Sequence, residues 1–170
     1  MSKIYVDEIL PKENAQISAP NLQLPAGSVI QVVQGTSSTD TSITSTSFGD
    51  INLSATITPL SASSKILVTT SIPYMVYSED TWVQAAFQLV RDTTSIDSTS
   101  NVPGAYAAGT TPTVYVRAIY SHSCLDSPST TSATTYKVQA RVLNTANNRQ
   151  LRLSQDGLQT SYITLMEIAG

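Results

Sequence analysis

The 170-residue sequence holds one cysteine, Cys124, and one histidine, His122. A single thiol excludes an intramolecular disulfide and any multi-cysteine metal site. Charge is scarce too, with nine basic and twelve acidic side chains and a formal net charge of −3. No lysine and arginine cluster interrupts that balance, so the phosphate backbone of a nucleic acid finds nothing to neutralise it. Unbroken apolar runs stop at four residues (74–77 and 105–108), far short of the roughly 20 that cross a bilayer. The opening Met-Ser-Lys-Ile-Tyr-Val-Asp-Glu places charges where a secretory leader needs an apolar stretch. The expectation is a soluble chain with no membrane insertion and no export by that route.

What is plentiful is hydroxyl. There are 24 serines and 23 threonines, set among enough Val, Ile and Tyr to argue against disorder. Thr, Val, Ile and Tyr fit pleated, half-buried surfaces, while Ser, Gly, Pro, Asn and Asp populate turns. A chain of this length buries about 70% of its surface, so it can hold a core without staples. The reading is an all-β protein whose solvent face is built from hydroxyls rather than charges.

Residues 1–26 differ from the rest. Pro11, Pro20 and Pro25 forbid a long helix and favour extended chain. Ile4, Val6, Ile9, Leu10, Leu22 and Leu24 then lie as if set on another surface, which marks this segment as an extended N-terminal attachment arm. An edge strand of its own domain is the plainer alternative. Residues 27–170 form the second unit, a head domain. Strand character recurs there at 28–34, 51–57, 65–72, 82–91, 111–125, 134–143, 149–155 and 162–168, separated by turn signals. Tyr136, Val138, Ala140 and Val142, with Val114 and Val116, are expected inside. The polar stretches 35–47, 92–112 and 125–133 read as exposed loops. About eight short strands, with neither helical periodicity nor an internal repeat, indicate an antiparallel β-sandwich or jelly roll.

Chemistry is thin. A Ser-His-Asp set can be written from Ser121, Ser123, His122 and Asp126, but adjacent strand residues point to opposite faces, so both serines turn away from the imidazole. No Gly-x-Ser-x-Gly elbow accompanies them. His122 reads as a solvated or interface residue, and Cys124 as a small residue on one strand face. Asp7/Glu8 and Glu79/Asp80 are sequence neighbours that diverge in extended chain, so neither pair is an acid–base dyad. The Asn-Leu-Ser at Asn52 matches a glycosylation acceptor by chance composition. No catalytic, cofactor or metal site is assigned. Tyrosine is the abundant aromatic, with eight copies, and Tyr74, Tyr77, Tyr106, Tyr115 and Tyr120 are expected at strand ends or loops. Tyrosine supplies rigid contact area with a polar tip, which makes Tyr77, Trp82 and Tyr106 the candidate exposed recognition residues.

Several stretches resemble structural proteins of tailed phages that infect marine bacteria such as cyanobacteria. They are residues 1–9, Leu-Pro-Ala-Gly-Ser-Val-Ile-Gln-Val-Val-Gln at 24–34, Ser-Ser-Lys-Ile-Leu-Val at 63–68, the run 125–139, and Ile-Thr-Leu-Met-Glu-Ile at 163–168. The resemblance spans nearly the whole chain and its motifs are structural. It implies a tail-fibre-like virion appendage, a homotrimer with a jelly-roll head, anchored to other phage virion proteins of tail or capsid by the N-terminal arm. The expected location is the virion, assembled in the host cytoplasm, with a host surface glycan or protein as a further partner. There is no extended shaft between arm and head, so a capsid decoration protein, a cement or head fibre, is the alternative. A carbohydrate-binding module is a third, for which Trp82 is the single indole. A hydrolase has no gathered acids to support it.

Overall fold

A computed structural model describes residues 25–79, 83–102, 113–154 and 159–170. The described chain is nearly all antiparallel strand: β1 (Val29–Ser37), β2 (Thr41–Ile43), β3 (Gly49–Ile57), β4 (Lys65–Ser78), β5 (Ala85–Arg91), β6 (Thr94–Val102), β7 (Val114–Asp126), β8 (Thr134–Val142), β9 (Gln150–Leu153) and β10 (Ser161–Ile168). One 3-10 turn, Ala146–Asn148, precedes β9.

The alternation of side chains decides the layers. In β3, Ile51, Leu53, Ala55 and Ile57 are buried while the residues between them are exposed. In β8, Tyr136, Val138, Ala140 and Val142 are buried, as the sequence predicts. Val116 packs half-buried against that core. Two sheets enclose it. The smaller runs β3-β8-β5-β6, and the larger runs β1-β10-β4-β9-β2 with β7 on β4's other side. The result is an all-β sandwich.

β4 is the 14-residue backbone of the larger sheet. Along one side it pairs with β7 throughout, from Ile66 to Ser78. Along the other it pairs first with β10, up to Ser71, and then with β9 from Tyr74. The expected strand stops at Ile72 because Pro73 follows, and proline removes a ladder donor. The strand instead continues, since Pro73 falls in the gap between β10 and β9, where it interrupts the least pairing.

Two expected loops contain strands. Within 35–47, β1 runs on to Ser37 against Ser161, and β2 pairs with β9. Within 92–112, β6 pairs with β5 through a two-residue turn at Asp92-Thr93, with Asp92 at φ 52°. Both are serine- and threonine-rich, and backbone pairing holds them without a continuous apolar face. Of the expected strand 82–91 the described part is β5; Trp82 lies outside the described residues, as do Tyr106 and arm residues 1–24. The expected placement of Tyr74 and Tyr120 at strand ends fails. Both sit mid-strand facing the core, because β4 and β7 are longer than the sequence suggests.

The two edges of the sandwich differ. On one, β1 crosses β3 so closely that a Cβ on Gly35 would stand 1.9 Å from the Ser54 carbonyl oxygen. On the other, β6 and β7 meet mainly through side chains.

Candidate functional site

On the β6–β7 edge, the inward face of β7 carries Tyr120, His122, Cys124 and Asp126 in register with the core residues of β4. Tyr120 stacks on Phe87 with ring centroids 4.4 Å apart, and the His122 ring lies parallel to Tyr120 at 5.9 Å. His122 Nε2 meets Asp97 Oδ2 of β6 at 2.8 Å. Asp126 accepts both Arg91 Nη1 contacts, at 2.8 and 2.7 Å, and the Tyr136 hydroxyl at 2.7 Å. Burial and the bond to Asp126 push the Tyr136 phenol well up. Burial, and then the nearby Asp97 and Asp126 carboxylates, push the Cys124 thiol up too. The cluster ties the sheets together. His122 is therefore a half-buried cross-sheet partner rather than a solvated residue, and the adjacent serines 121 and 123 are exposed on the opposite face, as expected. Among the described residues no group of three or more His, Cys, Asp or Glu is placed to hold a metal.

Of the candidate recognition residues, Tyr77 is described. It lies on the outer face of β4, half-buried, with its ring 5.2 Å from that of Tyr115. Its hydroxyl donates to Glu79 Oε1 at 2.8 Å, and Asn148 Nδ2 donates to the same oxygen at 3.1 Å. Those bonds hold the Glu79 carboxyl below its ordinary range. Arm residues Ile4, Val6, Ile9, Leu10, Leu22 and Leu24 lie outside the described residues, together with Trp82 and Tyr106.

The larger sheet presents a broader surface. The registers align Leu125, Leu67, Met166 and Val32 in one row across β7, β4, β10 and β1. The next row is Ser123, Thr69, Thr164 and Gln34, and the one after it Ser121, Ser71, Tyr162 and Thr36. Pro73 and Ile119 follow. No charged side chain stands in these four rows. Six of the seven large apolar residues that are exposed, namely Val29, Val32, Tyr115, Ile119, Leu125 and Tyr162, occupy this outer face. Single exposed apolar residues are ordinary, but an apolar row such as this, exposed at Leu125 and Val32, is a candidate interaction surface. Sequence alternation alone does not reveal it, because the row exists only once four strands are in register.

The smaller sheet's outer face is polar. Ser95 Oγ donates to Gln88 Oε1 at 3.2 Å, and Gln88 Nε2 donates to Gln139 Oε1. Gln139 Nε2 then donates to Asp50 Oδ1 at 2.7 Å, and Lys137 Nζ to Asp50 Oδ2 at 2.9 Å. Those two bonds hold the Asp50 carboxyl below its ordinary range. Hollows of about 180 and 290 Å³ flank Lys137 on this face. At its end the Arg141 guanidinium covers the Phe48 ring at 4.6 Å.

No protein-family model matches the chain, and no curated protein does. Among solved structures it is similar to dimeric latent PorU from Porphyromonas gingivalis, at 10% sequence identity and a TM-score of 0.34. The likeness covers 86% of this chain and 14% of that one, and at that level it carries no functional weight.

Proposed function

We propose that this chain is a non-enzymatic structural subunit of a phage virion, a short homotrimeric appendage held to the particle by its N-terminal arm. The strand order β1-β10-β4-β7 over β3-β8-β5-β6 is read as a jelly roll, two interleaved Greek keys. The carrying observation is the uncharged four-row patch on the outer face of the larger sheet, bounded by Lys65 at one end and by Arg117 and Arg152 at the other. Seven residues of β4, Leu67 to Pro73, and four strand widths make it roughly 23 by 19 Å, on the order of 450 Å². A standard interface takes about 800 Å² per partner, so the patch forms the centre of such a contact and the rows of Lys65 and Arg117 its rim. A patch without charge selects no oppositely charged partner, and it meets a copy of itself without repulsion. Its serine and threonine hydroxyls both donate and accept, so they pair with their own kind. Three such faces turned toward a common axis close a triangular prism, leaving the polar sheets outward.

Light scattering of the purified full-length chain tests the assembly. The expected mass is three times 18.1 kDa, falling to that of one subunit in an Ile119→Lys, Leu125→Lys variant. Both side chains are exposed, so the variant keeps its fold. A parent that stays monomeric at tens of micromolar, or a variant that stays trimeric, refutes the arrangement.

A further inference from the structure

We infer that the outer face of the smaller sheet is a binding site for a neutral saccharide, centred on Gln88, Gln139 and Lys137. This goes beyond the structural role proposed above and does not depend on it.

The argument starts from hydrogen-bond capacity. A glutamine amide offers two N–H donors and two carbonyl lone pairs. Gln88 spends one donor on Gln139 and one acceptor on Ser95. Gln139 spends one donor on Asp50 and one acceptor on Gln88. Each amide therefore keeps one N–H and one lone pair for a partner. Two such edges, on adjacent strands in register, form a repeated donor and acceptor pattern. A sugar hydroxyl is both donor and acceptor, so vicinal hydroxyls are complementary to that pattern, whereas a carboxylate or ammonium ligand uses half of it.

Electrostatics narrows the class further. Lys137 and Asp50 neutralise one another across 2.9 Å, so the ladder has no net charge, and the Asp92 carboxylate at the larger hollow, which accepts from the Thr135 amide, disfavours an anionic ligand. The ladder Ser95–Gln88–Gln139–Asp50–Lys137 spans all four strands and fixes both amide planes before any ligand arrives. Such preorganisation lowers the ordering cost of binding. The hollows on either side of Lys137 supply the concavity. Besides Lys137, the larger is lined by Gln88, Val90, Asp92, Thr93, Ser95 and Gln139, the smaller by Asp50, Asn52, Leu53, Ser54 and Val138. The lysine stem presents apolar surface to the C–H side of a sugar ring, above the buried Val90. The Phe48 ring is already covered by Arg141, so among the described residues no aromatic platform contributes, and affinity in the millimolar range is expected.

The test is titration of isotope-labelled full-length protein with methyl glucoside, methyl galactoside, methyl mannoside and N-acetylglucosamine, with glycerol as control. The side-chain amide resonances of Gln88 and Gln139 are followed by NMR. At least one saccharide is expected to move both pairs saturably, with a millimolar dissociation constant, and the shifts are lost in a Gln88→Ala, Gln139→Ala variant. If that variant melts early, the near-isosteric Gln139→Glu, which places a carboxylate beside Asp50, must weaken binding at least tenfold. Four saccharides that leave the amides unmoved overturn the assignment. So does a response equal to that of glycerol, or one that survives the substitutions.

Discussion

Glu167→Gln is the sharpest probe of how the end of the sandwich is held. Glu167 is fully buried on β10. Its Oε2 accepts from Gln31 Nε2 of β1 at 2.6 Å, and its Oε1 from the Leu60 amide at 2.8 Å. Gln31 Nε2 also donates to the Thr58 carbonyl at 2.8 Å, so one carboxylate fastens β1 and the 58–60 turn to β10. Burial opposes the charge, but these hydrogen bonds outweigh it and hold the carboxyl below its ordinary value of 4.5. A glutamine keeps the shape and offers a single acceptor, so its amino group must face a donor whichever way it is turned. A buried donor left unsatisfied costs about 1–3 kcal/mol, and losing charge assistance on the remaining bond costs about 1 more. A total near 3 kcal/mol converts to a melting shift of roughly 6–12 °C for a chain of this size. Because the folded value is the lower one, the carboxylate's contribution is complete above about pH 4.5 and is lost as pH falls through the folded value. Calorimetry of parent and variant at pH 7 and at successively lower pH checks both parts. A variant within 2 °C of the parent at pH 7, or a gap that fails to narrow on acidification, refutes the reasoning.

Two further substitutions probe the layers. Val138→Asp puts an unpaired carboxylate between the sheets, where Val138 is 2% exposed, and should cost several kcal/mol; a denaturant midpoint equal to the parent's contradicts the assigned facing of β8. Gly35→Ala sets a Cβ 1.9 Å from the Ser54 carbonyl oxygen and 3.1 Å from Ile163 Cγ2. Backbone must move to admit it, so a loss of about 1–3 kcal/mol is expected, and unchanged thermal unfolding shows that β1 and β3 do not approach so closely.

The strands that sequence makes legible are those with one wet and one dry face. In β3 and β8 every second residue is apolar, and burial follows that period. β2 and β6 carry serines and threonines on both faces with one strong inward anchor each, Ile43 and Ile96, so their pairing is a backbone property that side-chain periodicity does not encode. Pro73 conceals the second half of β4, since a proline reads as a stop until its neighbours are known. The candidate surfaces are less legible still. Leu125 and Val32 lie 93 positions apart in the chain, and only the intervening β4 and β10 place them in one row. The amide ladder likewise joins Gln88, Gln139 and Asp50 through two pairings of distant segments.

The β1–β10 pair has a mechanical consequence. Backbone bonds from Gly27 to Ala169 and from Ala169 to Ser28 continue the pairing that runs from Val29 to Ser37. Any pull transmitted through Pro25 therefore arrives at one end of this ladder. Antiparallel hydrogen bonds stand perpendicular to the strands, so tension directed along β1 loads the rungs together, in shear. Tension directed away from the sheet loads the Gly27 rung first and then each successor in turn, as in peeling. The approach of Gly35 to Ser54 at the far end would resist the final rungs in either geometry. A load applied at Pro25 thus meets a strong axis along β1 and a weak one across it.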